Sequence, residues 1–373
     1  MENRLILAFV LSLAVFVGWG YFLAQIQGPL PVKEPGMEEF PEDAQALAPK
    51  SRALGSAPSG LPKSESFQPT TPMPVPIDPF PGEEVLIQVS TGKTHFVISN
   101  RGGVIKQLQL PRFYDDDGNI IDLINNPDHL TPALALQAND PEVTAILQNA
   151  HYEPSTTSIV LSEFNPEGRL TLTLNHSSGL QVTRTYVFHF NDYMVEMGIQ
   201  ISAAAMASRN LQYQVVLGPG MGGKISSQTD YIVFSGATVF ANNERIENPP
   251  EDITSTSYFK GDLQWVSFQN KYFGSALIPQ QGTKSGLVFK EEDQVFVGLK
   301  FESVQSAASA QHLFYAGTKE LEILEDKGHK LVRMIDYGWF GNKFAFLVKP
   351  LLKVLAYFYG LTGNYGWSII FMT

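Results

Sequence analysis

The sequence contains no cysteine in its 373 residues. This absence excludes thiol catalysis, zinc sites with sulfur ligands and a lipid-modified cysteine, and it is compatible with any redox compartment. Basic residues are also scarce, since 26 Lys and Arg stand against 37 Asp and Glu and the net charge is −11. A nucleic-acid-binding protein would carry a positive surface, so we expect no nucleic-acid partner.

Complete catalytic and metal-binding motifs are lacking as well. Gly218–Lys224 matches most of a phosphate-binding loop, but Ile225 replaces the Ser or Thr that holds magnesium, so we interpret it as a glycine-rich turn. The acidic run Asp115–Asn119 has Ile120 and Asn126 where a calcium loop requires Gly and Glu. The seven histidines show no metal-ligand spacing, and no G-x-S-x-G elbow is present. We expect no enzymatic activity, no catalytic residue, no metal and no cofactor.

The beginning of the chain is apolar. Leu5–Ile26 carries no charge, and as a helix it would be about 33 Å long, enough to span a bilayer. A cleaved signal peptide is the alternative, but bulky Phe22 stands where cleavage needs a small residue, and Trp19 suits a membrane interface. With Arg4 before the span and only Lys33 soon after it, residues 1–27 are predicted to place the N-terminus in the cytoplasm.

The middle of the chain divides into a tether and a β-rich body. Residues 28–83 are rich in proline and poor in core-forming side chains, which indicates an extended linker. Residues 84–318 show short runs of alternating apolar and polar residues, which is typical of half-buried strands with no helices between them. The clearest runs are 85–89, 95–99, 103–110, 169–175, 180–190, 193–202, 211–217, 263–269 and 294–301. We therefore predict a mainly β protein with a large antiparallel β-sandwich.

A helical segment over 319–362 follows the β-rich body. On a helical wheel, residues 344–359 separate an apolar arc from an arc of lysines, as in an amphipathic helix lying in a membrane interface. A surface helix packed against the core is the alternative. The apolar run over 363–373 favours the membrane and indicates the start of a second span. The predicted interface residues are Phe344, Leu347, Val348, Leu351, Leu352, Leu355 and Phe358, with Lys343, Lys349 and Lys353 on the polar side.

Several short blocks share their pattern with one known family. They are Met1–Arg4, Asn100–Lys106, Arg184–Phe188, Trp265–Phe273, Tyr315–Lys319, Asp336–Phe340 and Gly363–Ile370. These blocks are spread from one end of the chain to the other. In them the chain resembles the YidC family of bacterial inner-membrane protein insertases.

The resemblance implies a protein of the bacterial inner membrane with a large periplasmic domain of the supersandwich type. It also implies a cytoplasmic N-terminus and several membrane spans in the full protein. The implied partners are nascent membrane proteins, Sec translocon components and the lipid bilayer. Family members continue into five membrane helices around a groove with a functional arginine. This sequence is expected to stop inside the first of them, so no groove residue is carried over.

Two other functions are kept open at this point. One is a membrane-tethered periplasmic carbohydrate-binding or mutarotase-like protein, which should place a histidine and a carboxylate together in a cleft. The other is a structural scaffold for the secretion machinery. The sequence leaves the substrates, any ligand of the sandwich and the oligomeric state open.

Overall fold

The computed structural model describes residues 80, 82–124, 130–221, 234–335 and 345–372. All of them belong to one compact unit, Pro74–Thr373. The predicted anchor over 5–26 and nearly all of the predicted linker lie outside the described residues.

The described strands form three sheets, here called the large sheet and the first and second small sheets. The first small sheet has the order β4-β3-β2-β1-β7, the large sheet β13-β12-β15-β16-β20-β10-β9-β8-β6 with β19 on β20, and the second small sheet β14-β17-β18-β11-β5. Only β1 and β7 pair in parallel among these strands. The bounds are β1 Leu86–Ser90, β2 His95–Ser99, β3 Ile105–Tyr114, β4 Ile120–Asp122, β5 Leu136–Ala138, β6 Glu153–Pro154, β7 Ser158–Val160, β8 Glu167–Asn175, β9 Gln181–His189, β10 Met194–Ser202, β11 Tyr213–Leu217, β12 Gly236–Ala241, β13 Glu244–Asn248, β14 Ser257–Phe259, β15 Leu263–Gln269, β16 Phe273–Gln281, β17 Thr283–Glu291, β18 Gln294–Phe301, β19 Ser303–Val304 and β20 Ala307–Thr318.

This architecture confirms the prediction of a mainly β protein with antiparallel sheets. Each of the nine alternating runs overlaps a strand, because period-two burial is what one face of a sheet requires. In β9, for example, Val182, Arg184 and Tyr186 are buried while the residues between them are partly exposed.

Four helices are described: α1 Pro141–Asn149, α2 Leu321–Lys327, α3 Ala345–Thr362 and α4 Tyr365–Met372. Short 3-10 segments lie at Ala204–Arg209, Pro250–Asp252 and Leu331–Met334. The expectation of no helix between the strands was wrong for α1. Asp140 caps this helix by accepting hydrogen bonds from the backbone N–H groups of Glu142 and Val143, and Pro141 is its first residue.

Both small sheets pack on the same face of the large sheet. Directly paired residues of neighbouring strands share a face, and one such row crosses five strands: Val266, Leu277, Phe314, Val195 and Phe188. At one end of this row, Val266 approaches Gly286 of the second small sheet, where an added Cβ would lie 2.9 Å from Val266 Cγ1. At the other end, the ring of Phe188 lies 5.3 Å from that of Phe96 in the first small sheet.

The segment 321–335 covers part of the opposite face. Its Leu324, Leu331 and Met334 are buried. A Cβ added to Gly274 of β16 would lie 3.2 Å from Met334 Sδ, so this glycine lets the segment approach the sheet closely. The chain therefore stays attached to the large sheet beyond the last strand.

A fully buried arginine joins the large sheet to the first small sheet. Arg184 Nη1 donates to the carbonyl oxygen of Gly102 at 2.9 Å, and Nη2 donates to that of Leu134 at 2.7 Å. Beside it, the Tyr186 hydroxyl donates to the carbonyl oxygen of Gly103 at 3.2 Å. No carboxylate among the described residues pairs with Arg184. The two backbone carbonyls and the face of the Tyr186 ring, whose centre lies 5.6 Å from the guanidinium carbon, offset the burial of its charge.

The two carbonyls that Arg184 binds come from residues with a left-handed backbone. Leu134 has a φ of 62°, which is unfavourable for a residue with a side chain. Gly102 has a φ of 69°, and an added Cβ there would lie 2.4 Å from the carbonyl oxygen of Gln148. The arginine therefore stabilises two loops that the local sequence alone would not hold in place.

We predict that Arg184→Ala lowers the free energy of unfolding by about 3 kcal/mol or more, because two buried carbonyls lose their donors and a cavity forms. Urea unfolding followed by circular dichroism measures this. Arg169→Ala, which removes an exposed arginine from the neighbouring strand β8, should change stability by less than about 0.5 kcal/mol. Equal stability of the two variants would contradict the role assigned to Arg184.

A second prediction concerns His312, which is buried in β20 with its ring 5.3 Å from that of Phe301. Burial lowers the pKa of His312 to about 4. The unfolded chain, with an ordinary histidine pKa near 6.5, therefore binds the proton first as the pH falls, and stability present above pH 6.5 is lost between about pH 6.5 and 4.

For the His312 contribution we expect a loss of about 2 kcal/mol between pH 7.5 and pH 5. Urea midpoints of the wild type and of His312→Gln at both pH values measure it. The variant should lose less stability than the wild type over this interval. An identical pH dependence of the two proteins would show that His312 is not the titrating group.

Candidate membrane-interface helices

The helices α3 and α4 expose large apolar side chains over most of their length. Residues 345–372 contain two lysines and no acidic residue. A folded soluble surface seldom presents so many large apolar groups together, which indicates a contact with lipid or protein. The large apolar side chains exposed here are Leu351, Val354, Tyr357, Tyr359, Leu361, Tyr365, Trp367, Ile369, Ile370 and Phe371.

The two helices are joined by a tight corner. Gly363 has a φ of 62° and its N–H donates to the carbonyl oxygen of Tyr359 at 2.7 Å, which ends α3. Asn364 then caps α4, since its Oδ1 accepts from the N–H of Gly366 at 2.8 Å. The helix α3 continues through Gly360 to Thr362.

Aromatic rings hold the two helices against each other. The rings of Tyr359 and Tyr365 stack at 4.1 Å, and those of Phe358 and Phe371 stack at 5.9 Å. Each pair joins one helix to the other, so α3 and α4 form a helical hairpin.

The polar groups of the corner bind one another. Thr362 Oγ1 lies 2.8 Å from the carbonyl oxygen of Phe358 and 3.1 Å from Ser368 Oγ. Ser368 is fully buried, and its hydroxyl donates to the carbonyl oxygen of Asn364 at 2.8 Å. Internal pairing of this kind is what a backbone turn needs in a medium that supplies few hydrogen bonds.

The predicted interface residues differ in their exposure to solvent. Leu351 is 43% exposed, as the membrane prediction requires, whereas Leu355 and Phe358 are half-buried. Phe358 contacts α4 through Phe371, which a helical wheel of α3 alone does not show. The side chains of Leu347, Val348, Lys349, Leu352 and Lys353 lie outside the described residues, as do Lys343 and Phe344 entirely. The interface assignment therefore stays a prediction.

The length of the described helices is a further observation. Within the part of the chain that the structure describes, no helix is both long enough and apolar enough to cross a bilayer.

The acidic run singled out in the sequence forms a turn. Asp115 Oδ1 accepts hydrogen bonds from the N–H groups of Asn119 at 2.8 Å and Asp117 at 3.0 Å. These hydrogen bonds hold the pKa of Asp115 below its usual value, and the one from the N–H of Asn119 contributes most. No group of acidic residues and histidines suited to a metal ion occurs among the described residues. The second half of the predicted glycine-rich turn, from residue 222 onward, lies outside them.

Four clefts of the described part lack the pair that a mutarotase-like enzyme needs. The four clefts we identify there have acidic residues in their walls but no histidine. His189 Nε2 does lie 3.2 Å from Glu196 Oε1, but both side chains are solvent-exposed on neighbouring strands, outside these clefts. The geometry therefore gives this alternative no support.

Comparison with known proteins adds a family match. The family model for the YidC periplasmic domain matches residues 86–354. The membrane protein insertase YidC of Pelobacter propionicus is 25% identical, over 100% of this chain and 66% of its own length. That of Geobacter metallireducens is 26% identical, over 100% of this chain and 67% of its own length. This chain thus spans about two thirds of the length of these relatives.

Similar folds occur among solved structures, but the likeness is distant. A galactose mutarotase-like protein from Lactobacillus casei aligns with a TM-score of 0.41 and 8% identity, over 62% of this chain and 99% of that protein. A likeness this weak carries no argument about function.

We predict that Leu351→Glu weakens membrane association of a chain lacking its first 27 residues by about tenfold or more, because a charged side chain would replace an apolar one in the interface. Leu355→Glu should act in the same direction. Flotation with liposomes measures the bound fraction. Leu86→Glu, the same change at an exposed position of β1, serves as the control and should float like the parent chain. Unchanged flotation of Leu351→Glu would rule out the interfacial helix.

Proposed function

The chain belongs to the YidC family, and from this premise we propose that it is part of a membrane protein insertase, which helps integral membrane proteins enter and fold in the bacterial inner membrane. The observation that carries the proposal is the exposed apolar hairpin of α3 and α4, which follows a folded β body within a chain whose family match covers residues 86–354. Because the chain spans about two thirds of its relatives, the activity of the whole protein is itself a proposal.

We further propose the layout that the sequence indicates. Residues 1–27 anchor the chain with the N-terminus in the cytoplasm, 28–83 link the anchor to the body, and 84–318 form a periplasmic domain of the supersandwich type. Residues 319–362 lead to the interface, and 363–373 begin a second span. The packing of two small sheets on one face of the large sheet supports the supersandwich assignment.

The proposed mechanism is physical and breaks no covalent bond. Moving a polar segment through hydrocarbon is expensive because its charges and peptide groups lose their hydration. The helix α3 embedded at the headgroup level, with Leu351 and Val354 among the lipid tails and the polar groups of its corner with α4 paired internally, would disturb lipid packing locally. Apolar segments of a substrate would then enter the bilayer beside it. The partners in this proposal are the lipid bilayer, nascent membrane proteins and Sec translocon components.

Site-specific crosslinking tests the proposal, and the absence of cysteine makes the chain suitable for it. Leu361→Cys and Trp367→Cys place a thiol at exposed positions of the hairpin, 67% and 56% exposed in the parent chain. Each would carry a photoactivatable crosslinker in inner-membrane vesicles that hold a ribosome-stalled nascent membrane protein. We expect crosslinks from both positions to the nascent apolar segment.

The control is Phe164→Cys, which is 98% exposed on the β body and should not crosslink to the nascent chain. The opposite pattern has crosslinks from the β body to Sec components and none from the hairpin to nascent chains. It would contradict the insertase proposal and support a structural scaffold for the secretion machinery.

A further inference from the structure

A shallow cleft of about 370 Å³ lies where the first small sheet meets one end of the large sheet. Its floor is aromatic, since the rings of Phe113 from β3 and Phe273 from β16 meet edge to face at 5.4 Å. Tyr114 and Tyr272 line its rim, 62% and 46% exposed. Lys271 and Lys319 also line it, and we name it the Tyr–Lys cleft after these residues.

Two of the sequence blocks that mark the family meet at this cleft without a role in the proposed function. Trp265–Phe273 supplies the turn between β15 and β16, and Tyr315–Lys319 supplies the end of β20. The Lys319 N–H donates to the carbonyl oxygen of Tyr272 at 2.7 Å, and Lys319 Nζ donates to that of Asn270 at 2.9 Å. The turn that presents Tyr272 is therefore held in a fixed position.

The residues that line the cleft combine two kinds of group that membrane interfaces favour. Tyrosine places an apolar ring among lipid tails and its hydroxyl among headgroups, while lysine attracts phosphate. Lys271 Nζ lies 5.1 Å from the centre of the Tyr272 ring, so the ammonium group and the ring point to the same surface. Asp116 and Glu320 balance the two lysines, which makes the cleft nearly neutral as a whole.

The cleft also lies close to the point where the chain leaves the β body. Gly274 follows Phe273 directly, and a Cβ added to it would lie 3.2 Å from Sδ of the buried Met334, one residue before Ile335. Residues 336–344 alone separate Ile335 from Ala345, the first residue of α3. That length of chain reaches at most about 35 Å. The part of the β body beside the cleft is therefore held within this reach of a bilayer that holds α3.

We propose that the Tyr–Lys cleft is a second membrane-contact site, at which the side chains of Tyr114 and Tyr272 lie in the phospholipid headgroup layer. Because its charges balance, the contact is with zwitterionic lipid as well as anionic lipid. This inference depends on the proposed function only in that α3 must lie at a membrane. Through this contact the β body itself helps to set its distance from the lipid surface.

Single-cysteine labelling of the full chain in phosphatidylcholine vesicles tests the inference. Tyr272→Cys and Tyr114→Cys each carry the environment-sensitive fluorophore NBD, and the vesicles contain a lipid with a spin label on its headgroup. We expect the spin-labelled lipid to quench NBD at both positions and to shift its emission to the blue. Phe164→Cys and Tyr258→Cys, exposed elsewhere on the β body, should show neither change.

Leu351→Cys with the same fluorophore separates this inference from the proposed function. Quenching at Leu351 without quenching at Tyr272 and Tyr114 would overturn the second contact site and leave the interfacial helix intact. No quenching at any of the three would overturn both. Protection of Tyr272 from aqueous iodide without quenching by lipid would mean that protein covers the cleft, which also contradicts the inference. Circular dichroism of each variant confirms that the sheets are intact.

Discussion

The structure depends on a buried cation that lies between sheets and has no carboxylate partner. Burying such a guanidinium group is expensive, and hydrogen bonds together with the face of the Tyr186 ring offset that cost. Arg184 finds its acceptors in Gly102 and Leu134, two positions with left-handed backbone that a strand would not adopt. Arg184 of the large sheet therefore holds both the turn between β2 and β3 of the first small sheet and the chain that leads into β5 of the second small sheet.

The same packing leaves the two ends of the β body with different surfaces. Along the row from Val266 to Phe188 the large sheet is covered, and its apolar residues have no contact with solvent. Outside this row, where the turn between β15 and β16 meets the end of β20, Tyr272 is 46% exposed. The chain leaves the body at this end and continues into the apolar hairpin. Features suited to lipid thus gather at one end of the body.

Much of the fold could be read from the sequence, and the limits have physical causes. Alternation in runs such as β9 predicts a strand because burial of one sheet face imposes period two. The helix α1 was missed although Asp140 and Pro141 are a good start signal, because the surrounding strand patterns outweighed it. At the candidate site, a wheel predicted which side of α3 is apolar. It could not show that Phe358 packs on Phe371, because the corner at Gly363 brings α4 back against α3. No local pattern brings Tyr114 and Tyr272 to one cleft either, because they belong to different sheets and only the packing of those sheets brings them together.

The attachment of segment 321–335 to the large sheet has a mechanical consequence. Leu324, Leu331 and Met334 are buried, and Met334 lies beside Gly274 of β16, so the segment cannot leave the sheet without exposing apolar surface. A force applied to the chain beyond Ile335 would therefore first have to separate these side chains from the large sheet before it could pull on the strands.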